Sequence, residues 1–78
     1  MAIDLMDIEE LSKFLDISQA TINYYTNLGL FKIRDRKGNK RLYDRNETKK
    51  LHDLIRQLRG EGYSLRIIQQ RLTKDMLA

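Results

Sequence analysis

Six basic side chains lie within ten residues near the middle of the chain, and one acid, Asp35, accompanies them. Guanidinium and ammonium groups form charge-assisted hydrogen bonds with phosphate oxygens, and clustered Lys and Arg are typical of proteins that bind polyanions. A solvated basic surface is the alternative interpretation, because a charged segment alone does not specify a ligand. The six bases are Lys32, Arg34, Arg36, Lys37, Lys40 and Arg41.

Small and polar side chains between Ser18 and Asn27 have the chemistry to contact base pairs and phosphates. An Asn amide can bond bidentately to an adenine edge, an Ala methyl can touch a thymine methyl, and a Tyr hydroxyl can reach a phosphate. The alternative is that the tyrosines pack and the asparagines are merely solvated, and for Tyr25 we favour that alternative. The candidate contact residues are Ser18, Gln19, Ala20, Thr21, Asn23, Tyr24 and Asn27.

Charge is divided unevenly along the chain, whose formal net charge is +4. Residues 1–30 hold one base and five acids, a balance of −4, whereas residues 31–59 hold eleven bases and four acids, a balance of +7. With 41% hydrophobic residues, the chain can form a core, so the basic block indicates a folded domain with a polyanion partner. Tyr43, at the edge of this block, joins the candidate contact residues.

Length and composition exclude several classes of protein. Seventy-eight residues allow one domain, and the absence of cysteine excludes thiolate metal sites and disulfides. We expect His52 at the surface or its boundary, and we expect no metal or cofactor. No apolar segment approaches the roughly 20 residues of a membrane span, so we expect a cytoplasmic, nucleoid-associated protein without membrane contact. No paired acids, phosphate loop or Ser-His-Asp set is recognisable, so we expect no enzyme.

Two short helices are predicted to position the polar group. Asp7 and Glu10 have the spacing of a capping box and predict a helix over residues 8–15, and Ser18 predicts a cap for a second helix over residues 19–27. About three residues join the two helices, which is typical of a helix-turn-helix.

The second helix is predicted to have one packing face and one bare face. Ile22 and Tyr25 point together and should pack on the first helix, while Gly29 is placed for a left-handed C-terminal cap. The bare face then carries Ala20, Asn23, Tyr24 and Asn27.

The six bases are predicted to lie on a hairpin. Residues 30–33 and 41–43 are aromatic or branched and flank Gly38 and Asn39, which suit a tight turn. A basic hairpin beside a recognition helix is a wing, here residues 32–41, and such a wing lies along the DNA backbone or in the minor groove.

Two further helices are predicted after the wing. Asp44 or Asn46 caps a third, which ends between Gly60 and Gly62. Its predicted inner face is Leu51, Leu54, Ile55 and Leu58. Ser64 caps a fourth with Leu65, Ile68 and Leu72 on one face. The predicted fold is therefore mainly α with a small β-hairpin wing, in the order α-α-β-β-α-α, as a single domain over residues 1–78.

The order of these elements resembles the DNA-binding domain of the MerR family of transcription regulators, over nearly the whole chain. The matching segments are residues 8–13, Ile17-Ser18, Thr21-Ile22-Asn23-Tyr24-Tyr25, Gly29-Leu30, Arg41-Leu42-Tyr43, residues 55–59, Gly62-Tyr63-Ser64-Leu65 and Ile68. The resemblance implies a winged helix-turn-helix with residues 19–27 in the major groove of double-stranded DNA. It also implies that Tyr63, in the turn before the last helix, touches phosphate as part of a second wing.

The sequence departs from the family pattern at three positions. Members often carry arginine where this chain has Ala20 and Asn23, so we expect a different operator. Members also commonly carry glutamate where this chain has Thr26. Full regulators of this type continue into a dimerising helix and an effector-sensing region, which these residues do not supply. We expect a monomer in isolation, because the fourth helix has no sustained heptad.

Three hypotheses of function follow. The leading one is the reading head of a transcription regulator whose C-terminal part is absent here. A second is a small excisionase-like protein that bends DNA by itself, and a third is a protein-interaction module that uses the acidic first helix and the basic wing. DNA bending by the isolated chain would favour the second, and partner binding that survives wing substitutions would favour the third.

Overall fold

The structure, a computed structural model, describes residues 4–77 of the chain, with side chains through residue 73. Within that range, four helices and three short strands follow one another in the order β1-α1-α2-β2-β3-α3-α4. Their bounds are β1 Leu5–Asp7, α1 Ile8–Leu15, α2 Gln19–Asn27, β2 Asp35–Lys37, β3 Lys40–Asp44, α3 Arg45–Gly60 and α4 Leu65–Leu77. The predicted fold class is confirmed, and β1 is an addition to it.

Hydrogen bonds at the helix starts confirm the predicted caps. At α1 the Glu10 N–H donates to Asp7 Oδ1 at 2.9 Å and the Asp7 N–H donates to Glu10 Oε1 at 3.2 Å, which completes a capping box. Asp44, rather than Asn46, caps α3, because its carboxylate accepts from the N–H groups of Asn46 and Glu47.

The turn between α1 and α2 is short and is closed by hydrogen bonds between Ser12 and Ile17. Asp16 adopts the left-handed region with φ 56°, which ends α1 abruptly. The Ile17 N–H then donates to the Ser12 carbonyl at 3.2 Å, and the Ser12 hydroxyl donates to the Ile17 carbonyl at 2.5 Å. These bonds on both sides of the turn set the direction in which α2 leaves α1.

The three strands form one antiparallel sheet in the order β1-β3-β2. β1 pairs Asp7 with Leu42 on β3, and the hairpin pairs Arg36 with Arg41. At three residues β1 is too short to show the alternation that identifies a strand in a sequence, and it exists because β3 offers it a partner. The wing is therefore joined to the start of α1.

The predicted strand over residues 30–33 is wrong, because the strand lies further along, at Asp35–Lys37. Leu30 and Phe31 are buried in an irregular segment, and their N–H groups donate to the Tyr25 carbonyl at 2.9 and 3.2 Å. These two apolar side chains pack in the core near the end of α2. The hairpin strand that follows is entirely exposed.

One core draws on nearly every element. Its buried side chains are Leu11, Ile22, Leu30, Phe31, Tyr43, Ile55 and Ile68. Leu54 was predicted on the inner face of α3, but 36% of it is exposed, at the edge of that face. Because Ile22 on α2 belongs to this core, one face of that helix is committed to packing.

Tyr43 was predicted to contact DNA, and its burial corrects that prediction. The side chain is 0% exposed, and its hydroxyl lies 2.9 Å from the Thr26 hydroxyl on α2. A phenol in this position cannot reach a ligand, so its role is to join β3 to α2.

His52 was predicted at the surface or its boundary, and it is buried instead, at 7% exposure. Its ring meets the Phe31 ring edge-on, with centroids 6.4 Å apart. Leu15, Asp16 and Ile17, from the α1–α2 turn, line a hollow beside it. Burial, and then the nearby Arg56 cation, lower the pKa of His52 below its ordinary value, although Asp53 partly opposes this.

We expect the free energy of unfolding to decrease as the pH is lowered, because of His52. The unfolded chain takes up a proton near the ordinary histidine pKa, whereas the folded chain does so only at lower pH. The free energy of unfolding should be highest above about pH 6.5 and decrease from there toward the folded-state pKa. Urea unfolding at several pH values tests this, and His52→Gln should flatten the dependence. An NMR pKa of this sole histidine above the ordinary value would contradict it.

Tyr43→Phe should distinguish a structural role of the Tyr43 hydroxyl from a contact with DNA. Loss of the bond to Thr26 should lower the free energy of unfolding by about 0.5–1.5 kcal/mol, since the Thr26 hydroxyl keeps the Ile22 carbonyl as a partner. DNA affinity measured well below the melting temperature should change little. A large loss of affinity at unchanged stability would mean that the phenol does contact the ligand.

Candidate nucleic-acid interface

The outer face of α2 is bare and carries no charge. Burial of Ile22 and half-burial of Tyr25 confirm the predicted packing face, and Tyr24 on the other side is 52% exposed. From Gln19 to Asn27 the helix contains no acid and no base. The exposed side chains are Gln19, Ala20, Asn23, Tyr24 and Asn27. This face can therefore offer amides, a hydroxyl and a methyl group to a ligand, but no ionic group.

Contacts on both sides hold α2 in place. The Thr26 hydroxyl donates to the Ile22 carbonyl at 2.7 Å, and it also meets Tyr43. The Tyr25 ring packs edge-on against Phe31, with centroids 5.2 Å apart at 87°. These contacts fix the rotation of the helix and with it the direction of the exposed face.

The last turn of α2 is held by α4. The Gln69 amide donates to the Leu28 carbonyl at 2.9 Å, across 41 residues of sequence. Gly29 takes φ +79°, as predicted for a left-handed cap, and a Cβ there would lie 3.8 Å from the Thr73 methyl. The fourth helix thus supports the C-terminal end of α2.

At the start of α2, the predicted contact residues Ser18 and Thr21 are engaged with each other. The Ser18 hydroxyl accepts the Thr21 N–H at 3.1 Å, and the two hydroxyls lie 2.8 Å apart. Ser18 is exposed and Thr21 is half-buried. The pair therefore caps the helix first, while Gln19 beside it is exposed at the positive end of the helix dipole.

The hairpin places its bases on two faces. Side chains alternate along a strand, so Arg36 and its partner Arg41 share the face of Tyr43, which is the face toward α2. Lys37 and its partner Lys40 lie on the opposite face. Arg34 precedes β2 and is exposed, with its N–H donating to the Leu42 carbonyl at 2.8 Å.

The hairpin register brings like charges together twice. Arg36 lies directly across from Arg41, and Lys37 directly across from Lys40. Like charges in this position destabilise a sheet. A hairpin built this way is stabilised when an anion lies between or beside the cations.

A cleft of about 300 Å³ joins the wing to α2. Its lining comes from α2, from the wing and from the start of α1: Gln19, Asn23, Asn39, Lys40, Arg41, Asp7, Ile8 and Glu9. The Lys40 ammonium lies 3.7 Å from the Asp7 carboxylate. The two predicted contact elements are therefore adjacent, and an ion pair holds the wing against α1.

Tyr63 lies in the turn between α3 and α4, and it is half-buried. The Arg71 guanidinium is 4.8 Å from the centroid of its ring. The sequence interpretation missed Arg71, and it missed Asn39 as a lining residue. For Arg71 a signal existed, because positions 64 to 72 were predicted as a helix that starts beside Tyr63, but only the folded turn brings the two side chains together.

Within residues 4–77, no helix is long and apolar enough to cross a membrane. In the same part of the chain, no three His, Asp or Glu residues form a group that could hold a metal ion.

A family model described as MerR HTH family regulatory protein matches residues 6–75, which includes most of β1 and nearly all of α4. No curated protein matches the chain. The match covers the helix-turn-helix, the wing and the two helices that support them. The chain therefore belongs to the MerR family of helix-turn-helix regulatory proteins, which are DNA-binding transcription regulators.

Proposed function

We propose that this chain reads a specific DNA site for a transcription regulator, with α2 in the major groove and the wing on the adjacent backbone or minor groove. The observation that carries the proposal is the pairing of like charges across the hairpin, at Arg36–Arg41 and Lys37–Lys40. The repulsion lowers the stability of the isolated hairpin. Phosphate oxygens close to these cations would remove it.

The dimensions of α2 suit the major groove. Nine residues make a helix roughly 14 Å long, and the groove of B-DNA is about 12 Å wide. The face that would enter it carries Ala20, Asn23 and Asn27, which are short side chains that allow a close approach. The packing of Ile22 and Tyr25 on the core leaves this face outermost.

The two acids that line the cleft beside α2 are each paired with a base of the protein. Asp7 lines the cleft, but its carboxylate caps α1 and pairs with Lys40. Glu9, also in the lining, lies 3.9 Å from Lys13. Their charge is partly compensated within the protein, so Arg36 and Arg41 dominate the side of the wing that faces α2.

Tyr63 provides a third contact in the proposal. The Arg71 guanidinium beside its ring places a hydroxyl and a cation together at one end of α4. Both groups bind phosphate oxygens, and together they would position the domain on the duplex without reading its sequence.

Binding should depend steeply on salt. With Arg34, Arg36, Lys37, Arg41 and Arg71 close to phosphates, log K against log salt should have a slope of roughly −4.5, at about −0.9 per phosphate. Fluorescence anisotropy with a labelled duplex at several salt concentrations measures it. Absence of salt-dependent binding to any duplex would contradict the proposed function.

Arg36→Glu should stabilise the protein and weaken its binding. A glutamate opposite Arg41 replaces repulsion with attraction and should raise the free energy of unfolding by about 0.2–1 kcal/mol. DNA affinity should fall for all sequences, and the salt slope should shrink by about 1 or more. Lys50→Glu, the same charge change on the exposed surface of α3, is the control and should weaken binding much less. Equal losses of affinity in both variants would contradict a direct contact of the wing with DNA, because net charge alone would then explain the effect.

A further inference from the structure

We propose that the base pairs read by this domain are A·T pairs, so that its half-site is A·T-rich in both grooves. The inference rests on the proposed function and names the class of duplex that the same site takes. Its origin is the composition of the exposed face of α2, which the structure shows to be the face available to a ligand.

Recognition of G·C pairs in the major groove depends mainly on ionic side chains. Guanine is read by bidentate Arg or Lys at O6 and N7, and the amino group of cytosine is read by Asp or Glu. α2 has neither kind of side chain. Asn and Gln bond bidentately to N6 and N7 of adenine, and an Ala methyl contacts the thymine methyl. Every exposed group of this type on α2 therefore matches an A·T pair.

The spacing of the amides suits two adenines. Asn23 and Asn27 are both exposed and four residues apart, which places them on one face about 6 Å apart along the axis. Base pairs are stacked at about 3.4 Å, so the two amides are spaced for adenines about two steps apart. Ala20, one turn before Asn23, lies on the same face and continues the row.

The wing favours the same base composition. Arg36 and Arg41 lie side by side on one face of the hairpin. Two adjacent guanidinium groups bind best where the negative potential is strongest, and this is the narrow minor groove of A·T tracts. Both grooves would then select the same kind of sequence.

The charged side chains that line the cleft are the groups near α2 that could recognise a G·C pair. Lys40 and Arg41 share the lining with Asn23, as do the acids Asp7 and Glu9. Lys40 is paired with Asp7 at 3.7 Å, and Glu9 is paired with Lys13 at 3.9 Å. Arg41 lies across from Arg36 on the strand and is half-buried. Lys40, Asp7 and Glu9 therefore each have an ionic partner within the protein, and Arg41 is the group proposed above to enter the minor groove with Arg36.

Selection from a random duplex library tests the inference. The 78-residue chain is incubated with duplexes of about two helical turns, roughly 20 base pairs, and bound molecules are amplified and sequenced. We expect enrichment of sites with A·T pairs about two steps apart. Replacing adenine by 7-deazaadenine at those positions removes the N7 acceptor and should weaken binding roughly tenfold. The same replacement at any guanine should leave affinity unchanged.

Variants of α2 assign the effect to residues. Asn23→Ala should remove the preference at one position while the salt slope stays unchanged. Asn23→Arg should shift the preference there toward guanine. Asn46→Ala, which removes an exposed amide in the first turn of α3, outside both α2 and the wing, is the matched control and should leave the selected site unchanged.

The outcomes separate the inference from the proposed function. Enrichment of G·C-rich sites, or weakening by 7-deazaguanine, would overturn the A·T inference and leave DNA reading intact. Salt-dependent binding with no enriched sequence would overturn the A·T inference together with the reading of a specific site, because charge alone would then account for affinity. Absence of binding to any duplex would overturn both.

Discussion

The contact between Tyr43 and Thr26 links the two elements of the candidate interface. Tyr43 lies on β3, the strand that also forms one side of the wing, and its buried hydroxyl reaches α2 at 2.9 Å. Rotation of α2 would break this bond and withdraw Ile22 from the core. The direction of the bare helix face and the position of the hairpin are therefore set together, by one buried side chain.

Charge is divided unevenly between the two elements of the candidate interface. α2 carries no charge, and the wing carries most of the local positive charge. Phosphate contacts depend on charge and are indifferent to sequence, whereas base contacts depend on the placement of donors and acceptors. Under the proposed function, a substitution in the wing should therefore weaken binding to every site, and one on the outer face of α2 should mainly change the choice among sites.

The register of the hairpin places like charges opposite each other, which lowers the stability of the sheet. Arg36 opposite Arg41 breaks a local rule of sheet formation, because like charges directly across from each other destabilise the pair. The structure offsets the repulsion by joining β3 to β1 and by the ion pair between Lys40 and Asp7. Both supports come from β1, which lies in the acidic first part of the chain.

The sequence by itself determined the features that depend on neighbouring residues. The bounds of α1 and α2 were predicted correctly because their caps, at Asp7 and Ser18, act over three residues. The bare face of α2 followed from helical periodicity, and the wing from its bases and the Gly38 turn. The resemblance to the MerR family was also visible in the order of short sequence motifs along the chain.

Only the tertiary structure decided the features that depend on distant partners. β1 forms because β3 accepts it, and the apolar residues Leu30 and Phe31 leave the strand because the core needs them. Tyr43 was predicted to contact DNA and His52 to lie at the surface or its boundary, although long-range packing buries both. The face of the hairpin on which each base lies, and the Arg71–Tyr63 contact, likewise depend on register and on a folded turn. Local rules act through a few bonds, whereas burial depends on which elements meet.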